Sequence, residues 1–261
     1  MRRSYFQRMS GPLLTEFTRL RTEGRKGLAV LVDPDKATES GLQHLAAVAD
    51  SSGVDFIFVG GSLMVNLEIR EVVPYIKSIT DIPVVLFPGS LQQIVYEADA
   101  LLFLSLISGR NPELLIGAHV LAAPMLKRSR LEVLPTGYML VDAGKFATVH
   151  YISNTQPIPY DKPEIAACTA MAGELLGLRL LYLDAGSGAP RTVSPEMVAA
   201  VARETNAPLI VGGGIRSRES AIGLWNAGAD VVVIGNHLET EDGVQLLHSL
   251  RERPAAMPHF S

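Results

Sequence analysis

Eight short apolar runs rich in β-branched residues recur along the chain. Each is followed by a Gly, Asp or Ser cluster and, with one exception, by a segment of helical period. They fall at 28–32, 56–59, 84–87, 101–106, 138–141, 180–183, 209–211 and 231–234. None alternates with polar residues, which is the pattern of parallel strands covered on both faces. A buried helical turn can imitate any single run. Eight of them in βα order point to an α/β fold closed as a (β/α)8 TIM barrel.

Helices are expected at 40–51, 64–79, 112–126, 163–176, 195–205, 218–227 and 241–251, several opening on Pro or a capping residue such as Ser194 before Pro195. After the third strand, 91–98 gives barely two turns, so the third helix is expected to be short or missing. The longest stretch without clear period, 145–162, holds Asn154, Pro157 and Pro159. So long a βα loop reads as a lid, an active-site wall or an assembly contact. At 261 residues the chain is expected to be one barrel domain, 1–261, with a short N-terminal helical extension over about 1–26.

Composition removes several classes of function. Hydrophobic residues make up 48% and charged residues 19% of the chain, enough for a large core. The net charge of −4, with scattered basic residues, gives no footprint for a nucleic acid. The greasiest region, 114–126, is 13 residues long and carries His119 and Pro124. That is well short of the roughly 20 a spanning helix needs. Met1 to Arg8 shows no apolar stretch of a secretory signal. The expectation is a cytoplasmic protein. The single cysteine, Cys168, lies in an apolar helical run and reads as a small buried hydrophobe. The six histidines show no zinc spacing, and His237, next to Gly235-Asn236, is the only one that invites attention.

Barrel active sites form where strands end, so polar residues just after each run carry the functional reading. Two glycine-rich turns follow the last two strands: Gly212, Gly213 and Gly214 before Ile215-Arg216-Ser217, and Gly235 before Asn236. Glycines let backbone amides approach an anion, and the helix that follows adds unpaired N–H groups, so this pair reads as a phosphate site. Asp33, leaving the first strand in Asp33-Pro34-Asp35-Lys36, reads as a ligand for Mg²⁺ whose octahedron substrate phosphates complete. Asp35 reads instead as a helix cap and Lys36 as surface charge. Ser62, after Gly60-Gly61, either adds an oxygen ligand or caps its helix. Tyr182 and Asp184, two apart on one strand, share a face, and the carboxylate could take a proton from a substrate hydroxyl.

Taken in order, Val30-Leu31-Val32-Asp33-Pro34-Asp35-Lys36, Val59-Gly60-Gly61-Ser62, Tyr182-Leu183-Asp184-Ala185-Gly186-Ser187-Gly188-Ala189, Val211-Gly212-Gly213-Gly214-Ile215-Arg216 and Gly235-Asn236 resemble geranylgeranylglyceryl phosphate synthase. The resemblance implies a prenyltransferase of phospholipid biosynthesis, acting on a polyprenyl diphosphate, geranylgeranyl diphosphate by expectation, and on the 3-hydroxyl of sn-glycerol 1-phosphate. It places Mg²⁺ on Asp33 and Ser62. Around glycerol 1-phosphate it places Tyr182, Leu183, Asp184, Ala185, Gly186, Ser187, Gly188, Gly212, Gly213, Gly214, Gly235 and Asn236. Catalysis falls to Asp184 and Tyr182. The family barrel lacks its third helix, as does the pattern here. The Ala185-Gly186-Ser187-Gly188 spelling and Leu31 resemble the branch of bacterial and many archaeal synthases, which implies a homo-oligomer. Transient membrane contact for product release is a further expectation. Many relatives carry Glu where this chain has Asp184, shorter by about 1.5 Å. Val85, Phe87, Leu102, Leu104 and Tyr138 are candidate walls of a prenyl groove, or ordinary barrel filling. Two other readings stay open: an isomerase or lyase acting on a sugar phosphate, and a non-catalytic barrel that binds a prenyl phosphate.

Overall fold

A computed structural model of the chain describes residues 11–66, 68–235 and 240–255. Eight parallel strands close into a barrel in sequence order. They are β1 (Gly27–Val32), β2 (Phe56–Val59), β3 (Val84–Leu86), β4 (Ala100–Leu106), β5 (Glu132–Leu140), β6 (Leu180–Asp184), β7 (Leu209–Gly212) and β8 (Val231–Ile234). The ring is completed by β1 pairing with β8 at Ala29 and Val233. Around it lie α1 (Pro12–Thr22), α2 (Glu39–Ser52), α3 (Ile69–Ile79), α4 (Ala118–Arg128), α5 (Thr148–Ser153), α6 (Pro163–Leu175), α7 (Pro195–Glu204), α8 (Arg218–Asn226) and α9 (Glu241–Ser249).

Side-chain alternation on the strands sorts the interior into two layers. Leu28, Val30, Ile57, Leu181, Leu183 and Val211 face the helices. Ala29, Phe56, Phe58, Tyr182, Ile210 and Val233 fill the lumen. The lower end of the lumen is stoppered by α1, whose Phe17 stacks on Phe56 with ring centroids 4.4 Å apart. Glu132, at the start of β5, fixes that plug by accepting the backbone N–H groups of Leu13 and Leu14 at 3.0 and 2.7 Å. Helix starts are capped as their sequences predict, with Ser194 accepting from the Met197 amide and Ser217 from the Ser220 amide.

Between β3 and β4 there is no α-helix; a single 3₁₀ turn, Leu91–Gln93, takes its place. The missing helix uncovers the flank of β4, and Gln93 stabilises what remains. Fully buried, Gln93 accepts from the amides of Gly61 and Gly89 and donates to the Gly61 carbonyl, knitting the loops after β2 and β3 together.

The structure corrects four expectations. The helix expected from residue 64 starts at Ile69, because Asp35 takes the amides of Val65 and Asn66 at 2.6 and 3.2 Å and holds that segment as a loop. Asp35 therefore does not cap α2; Thr38 does. The stretch 145–162 contains the short helix α5. Cys168 is exposed on the outer face of α6, where the small-residue face of Ala166, Ala167 and Ala170 turns inward instead.

Candidate active site

The carboxyl end of β6 sets the centre of the site. Strand period sends Tyr182 and Asp184 to the same side, into the barrel mouth, while Leu181 and Leu183 pack outward. Asp184 is 8% exposed. One oxygen, Oδ2, accepts from the Tyr138 hydroxyl at 2.5 Å, and Oδ1 accepts from the Gly186 amide at 2.7 Å. Burial pushes the Asp184 carboxyl above the usual carboxylate range, and the bonds from Tyr138 and Gly186 oppose that rise. Burial and the nearby carboxylate hold both Tyr138 and Tyr182 well above the ordinary phenol value, so both rings stay protonated. Tyr182 stacks on Phe87, centroids 5.2 Å apart and planes within 8°.

The glycine turn after β7 is shaped by what lies against it. Gly213 and Gly214 have φ of +85° and +70°, the left-handed region that favours glycine. A Cβ on Gly213 would lie 2.8 Å from Asp184 Oδ1 and 2.8 Å from the Gly186 nitrogen; one on Gly214 would lie 2.3 Å from the Arg191 carbonyl oxygen. At Gly212 a Cβ would meet the Tyr182 hydroxyl at 2.4 Å. The two loops after β6 and β7 thus interlock, and with Gly235 after β8 they bound a polar cleft that also takes in Ser187, Gly188 and Arg216. Helix α8 starts at Arg218, four residues after Gly214, so its N-terminus follows the turn in sequence, as in anion-binding glycine turns.

Across the same cleft stand Asp33, Lys36, Gly61 and Ser62. Asp33 caps the 3₁₀ turn Pro34–Lys36 and meets the Lys36 ammonium at 2.9 Å, with the two side chains 30% and 62% exposed. Lys36 is thus surface charge, as read from the sequence, paired with Asp33 at the rim of the cleft. No cluster of three His, Cys, Asp or Glu occurs among the described residues. The donors at this end are one carboxylate and one hydroxyl, hard oxygens few enough to leave coordination positions for a ligand's own phosphates, as Mg²⁺ prefers. Lys36, exposed and held only by Asp33, can swing aside.

A second, apolar groove opens from the barrel mouth and runs over β4 towards the inner face of α4. It lies where the missing helix would have been, lined by Leu91 and Ile94 on one side and Ala118, His119 and Ala122 on the other. Of the candidate walls, Phe87, Leu102, Leu104 and Tyr138 line it, whereas Val85 is fully buried in the lumen. Gly61, Ser62 and Phe87 border both the polar cleft and the groove, so a ligand in one meets a ligand in the other there. Helix α5 spans the junction from above: Thr148 faces the polar cleft, and Val149, Ile152 and Ser153 face the groove.

The profile of the PcrB family matches residues 21–252. The chain belongs to that family, the geranylgeranylglyceryl phosphate synthases. Within it the chain is 54% identical over 231 residues to the geranylgeranylglyceryl phosphate synthase of Spirosoma linguale, covering 88% of this chain and 93% of the relative. It is 52% identical over 233 residues to that of Chitinophaga pinensis, covering 89% and 92%. Among solved structures it is similar to the Thermoplasma acidophilum (S)-3-O-geranylgeranylglyceryl phosphate synthase in complex with sn-glycerol 1-phosphate. The TM-score is 0.86 at 36% identity, with 92% of this chain and 96% of the other covered. The family membership agrees with the resemblance read from the strand-end motifs, and the eight-stranded barrel agrees with the solved family structure.

Of the residues singled out in the sequence, Asp33, Ser62, Tyr182, Asp184, Ser187, Gly188, Gly213, Gly214 and Gly235 border one cleft. Leu183 and Ala185 are packed into the outer core, where they shape the loop with their backbone. Gly186 serves through its amide on Asp184, and Gly212 through its close approach to Tyr182. Asn236 and His237 lie outside the described residues. Two residues were not read as site machinery. Tyr138 entered the sequence reading only as a groove wall, since its bond to Asp184 spans 46 residues and depends on the β5–β6 register. Gln93, in a segment with no clear helical pattern, gave no signal of its loop-binding part.

Proposed function

We propose that this chain joins sn-glycerol 1-phosphate to a polyprenyl diphosphate, geranylgeranyl diphosphate by preference, through an ether at the 3-hydroxyl, releasing diphosphate. The observation that carries the reading is the meeting of a polar, glycine-walled cleft with a long apolar groove at Gly61, Ser62 and Phe87. A sugar-phosphate isomerase has no use for such a groove. Each CH₂ buried in it contributes about 0.8 kcal/mol, so a prenyl tail is the ligand it rewards most.

Glycerol 1-phosphate sits with its phosphate on the Gly213–Gly214 turn beside Ser187 and Gly188, and its 3-hydroxyl is directed to Asp184. The prenyl chain lies in the groove, its first carbon near Phe87 and its diphosphate towards Asp33 and Ser62. The allylic C–O bond breaks as the glycerol oxygen bonds to that carbon, the electron pair leaves with diphosphate, and the hydroxyl proton passes to Asp184. Each carboxylate oxygen of Asp184 has a second lone pair beyond the bonds from Tyr138 and Gly186, so accepting the proton breaks neither. Burial favours the protonated product of that step. The Phe87 ring at the junction, backed by Tyr182 stacked on it, offers electron-rich surface to the carbon as positive charge develops. Asp33 and Ser62 fit Mg²⁺, which when bound neutralises the leaving diphosphate. Self-association has a candidate surface on α6 and its C-cap, where Ile165, Leu175 and Leu176 stand exposed on the helix that carries Cys168.

The test is incubation of the purified chain with Mg²⁺, sn-glycerol 1-phosphate and prenyl diphosphates of several lengths, with the product analysed by mass spectrometry. An ether product is expected. Tight binding of both substrates without turnover would favour the non-catalytic barrel instead.

A further inference from the structure

An amphipathic helix that walls a groove normally turns a polar face to water. Helix α4 does not. From Ile116 to Met125 every residue is apolar or glycine except His119, which faces the groove. The inner face, with Ala118 and Ala122, lines the groove. The outer face is apolar too: Val120 and Leu121 are 63% and 62% exposed, and Ile116, in the turn that leads into the helix, is 60% exposed. Exposed cations flank this ridge, Arg110 before it and Lys127, Arg128 and Arg130 after it. Over residues 107–131 four basic residues face one acid, Glu113, a local charge of +3 in a chain whose net charge is −4.

We infer that the outer face of α4 docks on an anionic lipid bilayer, with the ridge in the acyl boundary and the flanking cations on the headgroups. An exposed apolar ridge with Arg110 before it and Lys127, Arg128 and Arg130 after it offers an apolar face to the acyl boundary and a basic end to anionic headgroups. A second copy of this chain is the poorer occupant. A two-fold contact sets a patch against itself, which here opposes two surfaces of the same positive sign. The groove gives the docking its use. Its wall and the docked ridge are two faces of one helix, and the gap left by the missing helix opens the groove alongside. The prenyl chain can then pass between bilayer and groove without crossing water. This use rests on the prenyltransferase reading; the docking itself does not.

The test is co-sedimentation of the full chain with vesicles of phosphatidylcholine alone and of phosphatidylcholine mixed with phosphatidylglycerol. The variants are Val120→Glu with Leu121→Gln, and Lys127→Gln with Arg128→Gln and Arg130→Gln. All of these side chains point outward, so folding and turnover of a short, water-soluble prenyl diphosphate without vesicles are expected to be unchanged. The wild type is expected to bind the anionic vesicles, more weakly as salt rises. The charge variant is expected to bind roughly a hundredfold more weakly, at about 1 kcal/mol per cation lost, and the ridge variant not to bind. Failure of the wild type to bind either vesicle overturns the inference. So does undiminished binding by the ridge variant, or a wild-type dimer that this variant turns into monomers. Turnover without vesicle binding removes the docking alone; vesicle binding without turnover removes the transferase reading and leaves the docking in place.

Discussion

Replacing Tyr138 by Phe removes one hydroxyl and leaves the ring in place between the groove and Phe87, with which it makes an edge contact at 5.9 Å. The loss falls on Asp184, whose Oδ2 has its bond from Tyr138 at 2.5 Å in a site almost closed to water. A hydrogen bond to a charged group contributes about 1.5–3 kcal/mol, roughly ten- to a hundredfold in an equilibrium. That amount is withdrawn from the ionised form alone. The Tyr138 bond lowers the Asp184 pKa against burial, so Tyr138→Phe moves it further above the ordinary carboxylate range. As the proposed general base, Asp184 would act ionised; on that proposal the acid limb of kcat against pH shifts upward, and the rate recovers at higher pH. Stability follows the same sign. A buried carboxyl with a raised pKa holds its proton more tightly folded than unfolded, so its contribution is full below the unfolded pKa and is lost as pH rises through the folded one. The variant's deficit in urea unfolding should accordingly be smallest in acid and grow towards neutrality. A uniform fall in kcat with an unmoved acid limb, or a deficit independent of pH, would refute this account of Tyr138.

Asp33→Asn should weaken the response of turnover to added Mg²⁺ while leaving glycerol phosphate binding intact, checked by titrating Mg²⁺ in the assay and by calorimetry with glycerol phosphate. Gly213→Ala forces a left-handed φ of +85° and a Cβ into Asp184 and Gly186, so it should cost about 1–2 kcal/mol from the backbone alone, more from the clash, and raise the KM for glycerol phosphate. Gln93→Leu strips three backbone groups of their partners where the two clefts join; a loss of at least about 1–3 kcal/mol in unfolding free energy is expected, with a lower kcat. Glu132→Ala, at the far end of the barrel, unpairs the amides of Leu13 and Leu14, so it should lower Tm without changing KM for either substrate.

Most strands were legible because parallel strands covered on both faces are apolar throughout, and 56–59 and 231–234 match their observed bounds. β5 was recognised only in its last third. Glu132, Pro135 and Thr136 interrupt its apolar pattern, yet each is accommodated: Glu132 by the α1 amides, Thr136 by the Leu134 carbonyl, and Pro135 by presenting its carbonyl to the Arg179 amide. The missing helix was legible as a weak pattern over 91–98. What fills the gap was not, since Gln93 works through backbone groups of two other loops. At the site, the glycine turns and Asp184 announced themselves by composition at strand ends. The Tyr138–Asp184 pair did not, because strand register in three dimensions creates it. Cys168 was misread as core because its helix is apolar on both sides, so periodicity alone could not say which side faces the barrel.

The measurement that tests the two-cleft arrangement most directly is a crystal structure with sn-glycerol 1-phosphate and an unreactive thio-analogue of geranylgeranyl diphosphate bound together. The expected result has the phosphate on the amides of Gly213 and Gly214, the tail along β4 inside α4, and the 3-hydroxyl about 3–3.5 Å from the first prenyl carbon. A tail lying outside the groove, or a glycerol hydroxyl directed away from Asp184, would contradict it.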